Sequence, residues 1–352
     1  MLITVLSFLG VIIVIVLVHE IGHFVTAKLS GVTVHEFGIF YPPRLFSIKR
    51  GDTVYSINAL PLGGFVKMAG EEDPDAPGSL ASKRIATRLL VLGSGSLMNL
   101  LLPFVLLSIA FMVPHNALVG EVQVLEVASD SPADFAGIQP EDIILSINGQ
   151  PVQNTGDLQR HFYRNLGSEV SIVVRHRDST EEEVKLAPRW KPPEGEGAAG
   201  VLVTTISPTV VRQHFPFWKA VPMGFSRCFE ILVLFKNGII GMVTGAVPVE
   251  LRGPVGIAEM TGDVARAGAS PLLEFASMIS INLGIINLFP LPALDGGRLA
   301  FVLLEFVRRG KRISPRKEWM IHTIGFFLLI AAILAVTYQD IARIIGGGDA
   351  IP

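Results

Sequence analysis

The stretch VLVHEIGHFV, residues 16–25, sets His19, Glu20 and His23 inside an apolar run. Residues four apart share one face of a helix, so both imidazoles can reach a single metal ion. Glu20, next to His19, is placed to accept a proton from a water that the metal polarises. The plain alternative is a pair of buried, hydrogen-bonded histidines. Ionisable groups are costly in lipid, however, and a cluster of them there marks a functional site by default.

A catalytic zinc site needs a third protein ligand and an open position. The other histidines (His35, His115, His161, His176, His214 and His322) fall in loops, in the polar middle of the chain or near the end of an apolar run. Asp295 differs. It lies in NLFPLPALDGGR, after Pro290 and Pro292 and before Gly296 and Gly297. That context breaks a helix, and broken backbone at membrane depth is tolerated only where it lines protein or water. Asp295 is therefore the expected third ligand, with the capping of a helix that starts near Gly296 as the alternative.

These residues must be held by a membrane scaffold. The 352 residues are 50% hydrophobic and 17% charged, with net charge −2. Such a chain is too apolar for an ordinary soluble protein and too charged to lie wholly in lipid, and it has no basic excess for nucleic acid. One cysteine, Cys228, excludes an intrachain disulfide. Four apolar runs are long enough to span: Leu2–Ala27, Leu89–Val113, Pro271–Leu291 and Trp319–Tyr338. Basic residues crowd the loop after the first run and the loop before the last. The positive-inside rule puts both loops in the cytoplasm and both termini outside. A fifth span within 231–247 would break that pattern, so 217–247 reads as an apolar, partly amphipathic segment lying against the membrane or the other helices.

The middle of the chain faces water. VGEVQVLEV, DIILSING and EVSIVVRHR read as strands bounded by turns. SPADFAGIQPEDIILSINGQPVQNTGDLQRHF resembles a PDZ domain of the bacterial protease type. The resemblance implies binding of an extended peptide or chain terminus by strand addition. The expected regions are 1–114 (metal-binding helix, β-loop and second span), 115–190 (PDZ domain), 191–270 (linker, a short strand at 200–206 and the amphipathic segment) and 271–352 (Asp295 motif and last span).

HEIGH, GSGSLMN at 93–99 and NLFPLPALDGG together resemble the site-2 protease family, zinc metalloproteases that cut within the membrane. LPLGGFVKMAGEEDP at 60–74 and LRGPVGIAEM at 251–260 are similar to its bacterial RseP-like group, with one PDZ domain here instead of two. The resemblance implies a polytopic α-helical membrane protein with an inserted extracytoplasmic PDZ domain. It also implies a β-structured loop over 38–70 that dips into the membrane beside the site, with an ordinary cytoplasmic hairpin as the alternative. The implied cofactor is Zn2+. The implied substrates are single-span membrane proteins such as anti-sigma factors or remnant signal peptides, in a bacterial cell membrane. A non-catalytic PDZ scaffold and a metal transporter are the readings from other classes. Five residues are expected to meet substrate: Asn99, Asn282, Asn287, Pro290 and Pro292. The prolines resist a helix and leave neighbouring backbone free to pair, while the amides both donate and accept. Interhelical hydrogen bonding, worth ~1 kcal/mol per bond, is the alternative for the asparagines.

Overall fold

A computed structural model of the chain describes residues 1–71, 73, 75–246 and 252–346. Glu72, Pro74, residues 247–251 and residues 347–352 lie outside the described residues. Parts of the 60–74 and 251–260 motifs and of the last two expected regions therefore lie outside as well.

In chain order the elements are α1 (Leu2–Leu29), β1 (Val34–Arg50), β2 (Thr53–Met68), α2 (Ile85–Met112), β3 (His115–Val127), α3 (Pro132–Phe135), β4 (Ile143–Ile147), β5 (Gln150–Pro151), α4 (Thr155–Arg164), β6 (Val170–Arg175), β7 (Glu181–Leu186), β8 (Val201–Gln213), α5 (Phe217–Val243), α6 (Pro254–Ala267), α7 (Ala269–Ile286), α8 (Asp295–Val307) and α9 (Pro315–Ile345). They form two compact units, one from residues 1–110 and 251–352, the other from 111–250.

The first unit holds the helices that are long and apolar enough to cross a membrane: among the described residues these are α1, α2, α7 and α9. They coincide with the four expected runs. In lipid every backbone polar group must be satisfied within the segment, which is why apolar runs of this length become helices. Small residues let them pack closely. A Cβ at Gly22 of α1 would lie 2.6 Å from the Ser94 carbonyl of α2. Thr26 and Ser94 share a hydroxyl contact of 2.8 Å across the same seam. One apolar cluster (Val11, Ile15, Leu106, Ala276) joins α1, α2 and α7, and another (Ala27, Val34, Met68, Val91, Val302) joins α1, the β region, α2 and α8.

The β region folds more tightly than a simple hairpin. The start of β1 pairs on both edges: Phe37 lies opposite Tyr55 on one side and Val66 on the other. The spatial order is therefore 44–50, 53–58, 34–39, 64–68. The 64–68 segment ends the sheet, and its outer edge has no ladder partner among the described residues.

Two polar contacts pin the remaining helices. Arg88 of α2 meets Glu305 of α8 at 2.5 Å, both buried, and Arg312 meets the same carboxylate at 3.0 Å. The N-cap of helix α6 is Gly253, which offers no capping side chain. Asp340 of α9 supplies the missing acceptor, taking the Gly256 N–H at 2.8 Å.

The second unit is a β-rich module. Its antiparallel sheet runs β7-β6-β4-β3-β8, with β5 beside β4. Inward residues alternate along the strands, as in Val170, Ile172 and Val174, and they bury Leu158 and Phe162 of α4. Asn154 caps α4 by accepting the Asp157 N–H at 2.9 Å. One expectation is corrected here. The short strand expected at 200–206 is the first half of β8, which pairs along the whole of β3 and completes the sheet. The preceding Pro/Gly-rich stretch is not a free linker: Ala198, Ala199 and Gly200 accept the N–H groups of Arg189, Ala133 and Ala128 at 2.7–3.1 Å. The 217–243 segment is one helix, and its Asn237 amide donates to the Tyr163 carbonyl at the end of α4 at 2.7 Å.

Candidate metal centre

Helical spacing places His19 and His23 on the buried side of α1. Asp295 arrives from the break between α7 and α8. After Asn287, the C-cap of α7, the chain makes a tight turn through Pro290 and Pro292. Gly296 N–H donates back to the Asn287 carbonyl at 2.7 Å, and Gly297 N–H to Leu294 at 3.1 Å. A Cβ at Gly296 would strike the Phe289 carbonyl, and one at Gly297 would lie 2.5 Å from that of Leu291. The paired glycines thus let α8 begin under the preceding turn, which aims Asp295 at α1.

Asp295 Oδ2 lies 3.0 Å from both His19 Nε2 and His23 Nε2, and the two Nε2 atoms are 3.2 Å apart. The Nδ1–H of His23 donates to the Val91 carbonyl at 2.8 Å, so its Nε2 presents a lone pair. Three such atoms this close need protons or a metal ion among them. Tetrahedral zinc with ligands at about 2.0–2.1 Å would separate them by about 3.3 Å. The observed spacings fall within a few tenths of that, so the donor set fits zinc in both chemistry and dimensions.

The outer partners fit as well. Asn99, fully buried, faces His19 Nδ1 at 3.4 Å through its amide nitrogen, while its Oδ1 has no partner. Which end of an amide is oxygen is assigned from the network. Turning the amide places Oδ1 opposite Nδ1–H, the arrangement a metal-bound imidazole requires. The second span's GSGSLMN stretch also supplies space: a Cβ at Gly95 would strike both imidazoles.

The cluster opens into a cavity of about 560 Å³ that Glu20, Tyr41, Arg298 and His322 also line. Gly64, Phe65, Val66 and Met68 of the sheet edge form one wall. Glu20 is half-buried there, beneath Gly64. Arg298, one turn after Asp295, pairs with Glu71 at 2.6 Å.

The five expected substrate contacts sit elsewhere. None of them lines this cavity. Asn99 stands behind His19; Asn282 is half-buried on α7; Asn287 commits its carbonyl to Gly296. Pro290 is exposed, and Pro292 packs on Gly325 of α9. The sequence reading set aside one site residue, His322, as lying near a span end. It is an ionisable residue inside an apolar run, and that was the signal that could have found it.

The model of peptidase family M50 matches residues 7–332. A Clostridium acetobutylicum protein provisionally named a zinc metalloprotease is 36% identical over 93% of this chain and 94% of its own. Zinc metalloprotease RasP of Oceanobacillus iheyensis is 31% identical over 97% of this chain and 99% of its own, and the regulator of sigma-W protease RasP of Bacillus subtilis is 28% identical over the same shares. The solved PDZ domain of an SdrC-like protein of Listeria innocua covers 24% of this chain and 92% of its own, at 25% identity and a TM-score of 0.21. The chain belongs to peptidase family M50, the site-2 proteases, and is a multi-pass membrane zinc metalloprotease.

Proposed function

We propose that the protein hydrolyses peptide bonds within the transmembrane segments of single-span proteins, with His19, His23 and Asp295 holding zinc and Glu20 handling the proton. The observation that carries this reading is the convergence of three ligand atoms within 4.8 Å of one another at the wall of a cavity shared with Glu20. Zinc, when bound, supplies Lewis acidity to the scissile carbonyl and to the attacking water. Glu20 takes the water's proton and delivers it to the departing amine. Val91 and Asn99 keep the two imidazoles in the tautomer that leaves Nε2 free. A substrate helix hides its amides in its own hydrogen bonds and must unwind first. The open edge at 64–68, on the cavity wall, suits capture of the unwound strand by added pairing. Asn282, on α7, and Asn287, Pro290 and Pro292, on the turn that leads to Asp295, stand outside the cavity walls and would meet only flanking parts of the substrate.

The distribution of basic loops supports both termini and the PDZ-like module on the extracytoplasmic side. The PDZ-like module binds a peptide or chain terminus there and screens substrates by the bulk of their outer domains. The sigma-W regulator name of the Bacillus subtilis relative favours anti-sigma factors as substrates, with remnant signal peptides as a second class. The test is Glu20→Gln, near-isosteric but unable to accept the proton. Its expected result is parental zinc content with cleavage of a model single-span substrate abolished. Turnover within a few-fold of the parent would exclude Glu20 as the base.

A further inference from the structure

The metal turn is buttressed by a helix that is otherwise anchored at its far end, against α6. No residue of α9's apolar window is buried, yet one face of it grips the segment that carries Asp295. His322 Nδ1 accepts the Ala293 N–H at 3.0 Å. Ala293 has φ +75°, a left-handed conformation that a non-glycine residue holds only where its surroundings enforce it. Three residues further along the same face, Gly325 lies so close to Pro292 that a Cβ would overlap the proline ring. From the other side, a Cβ at Gly297 would come within 3.1 Å of His322 Cε1, and the Phe301 ring sits 5.5 Å from the imidazole. The imidazole thus meets both the turn before Asp295 and the first two turns of α8.

We propose that His322 and Gly325 form a notch on α9 that locks the Pro292–Asp295 turn and so fixes where the Asp295 carboxylate stands. His322 is a positioning residue, not a metal ligand. Accepting from a backbone N–H commits Nδ1 as a lone pair, which leaves the proton on Nε2. That Nε2 is buried without a partner, so the ring is held for the sake of Nδ1. A consequence is that displacement of α9 loosens the turn, making metal geometry sensitive to where this helix sits. The inference rests on the reading of Asp295 as a zinc ligand.

The test uses the full chain in detergent, loaded with cobalt in place of zinc, with three readouts: the visible ligand-field spectrum, zinc affinity by chelator competition, and cleavage. The variants are His322→Phe, His322→Asn, Gly325→Ala and Asp295→Asn. His322→Phe keeps the ring but removes the acceptor, and it should shift the cobalt spectrum and weaken zinc binding about tenfold or more, as loss of outer-shell support does. His322→Asn retains an acceptor near the Nδ1 position and should restore most of both. Gly325→Ala, which leaves His322 intact, should give the same spectral shift by displacing Pro292, and it serves if His322→Phe misfolds. A parental spectrum and affinity in His322→Phe and Gly325→Ala would overturn the proposal, as would equal damage in His322→Phe and His322→Asn. A parental spectrum in Asp295→Asn would instead refute the ligand assignment, so the two failures are distinguishable.

Discussion

Replacing Asn99 with leucine separates two roles that a buried amide next to a proposed zinc ligand could play. Asn99 is fully buried, and its amide is the side-chain partner that His19 Nδ1 has among the described residues. Losing an outer-shell partner of a metal ligand costs about 10–100-fold in metal affinity, or about 1.4–2.7 kcal/mol. The contact is 3.4 Å, longer than the common ~2.9–3.0 Å of an N–H···O bond. Asn99→Leu is therefore expected at the low end, about a tenfold loss. Asn99→Asp, which keeps an acceptor opposite Nδ1–H, should bind zinc more tightly than Asn99→Leu. The assay is competition with a chromophoric chelator, with thermal unfolding in the same detergent as the control for global damage. If Asn99→Leu held zinc as tightly as the parent yet cleaved slowly, the support role would be refuted. Asn99 would then be serving the charge that develops on the carbonyl oxygen.

Gly95→Ala puts a methyl group against both imidazoles and should cost zinc affinity and cleavage well beyond its effect on melting temperature, read by metal content and calorimetry. Glu305→Ala leaves Arg88 buried without its partner and should destabilise the fold by about 3–5 kcal/mol, measured by denaturant titration. In the PDZ-like module, hydrogen bonds that the His176 imidazole donates to the Asp142 and Glu182 carboxylates raise the His176 pKa. A raised folded pKa stabilises below the unfolded value of about 6.5 and loses that contribution as pH rises through the folded value. Amide exchange in β4 and β6 should accordingly speed up above that window for reasons of stability as well as base catalysis, and the excess should vanish in His176→Gln.

Local patterns revealed the candidate metal ligands; longer-range contacts hid their supports. His19 and His23 were legible because the helix period turns a spacing of four into one face. Asp295 was legible as a candidate because prolines and paired glycines beside an acid break an apolar run. Asn99 was visible as a polar residue in a span, but nothing in the chain says that it faces His19, 80 residues away. The role of His322 depends on Ala293, 29 residues earlier, and on a left-handed backbone that composition does not mark. The β region read as strands, yet the double pairing of 34–39 follows from a fold-back that alternation alone does not encode. The stretch 191–200 has the composition of a linker, but its carbonyls are engaged by backbone N–H groups distant in sequence, which side-chain types cannot report. The four candidate spans were read from length and apolarity, and those same properties make them helices.

Zinc K-edge X-ray absorption on the purified, zinc-loaded chain tests the central claim most directly, because it counts imidazoles and identifies the other donors. The account predicts two imidazole nitrogens and at least one carboxylate oxygen, with ligands at about 2.0–2.1 Å. A third imidazole, or a spectrum unchanged in Asp295→Asn, would contradict it.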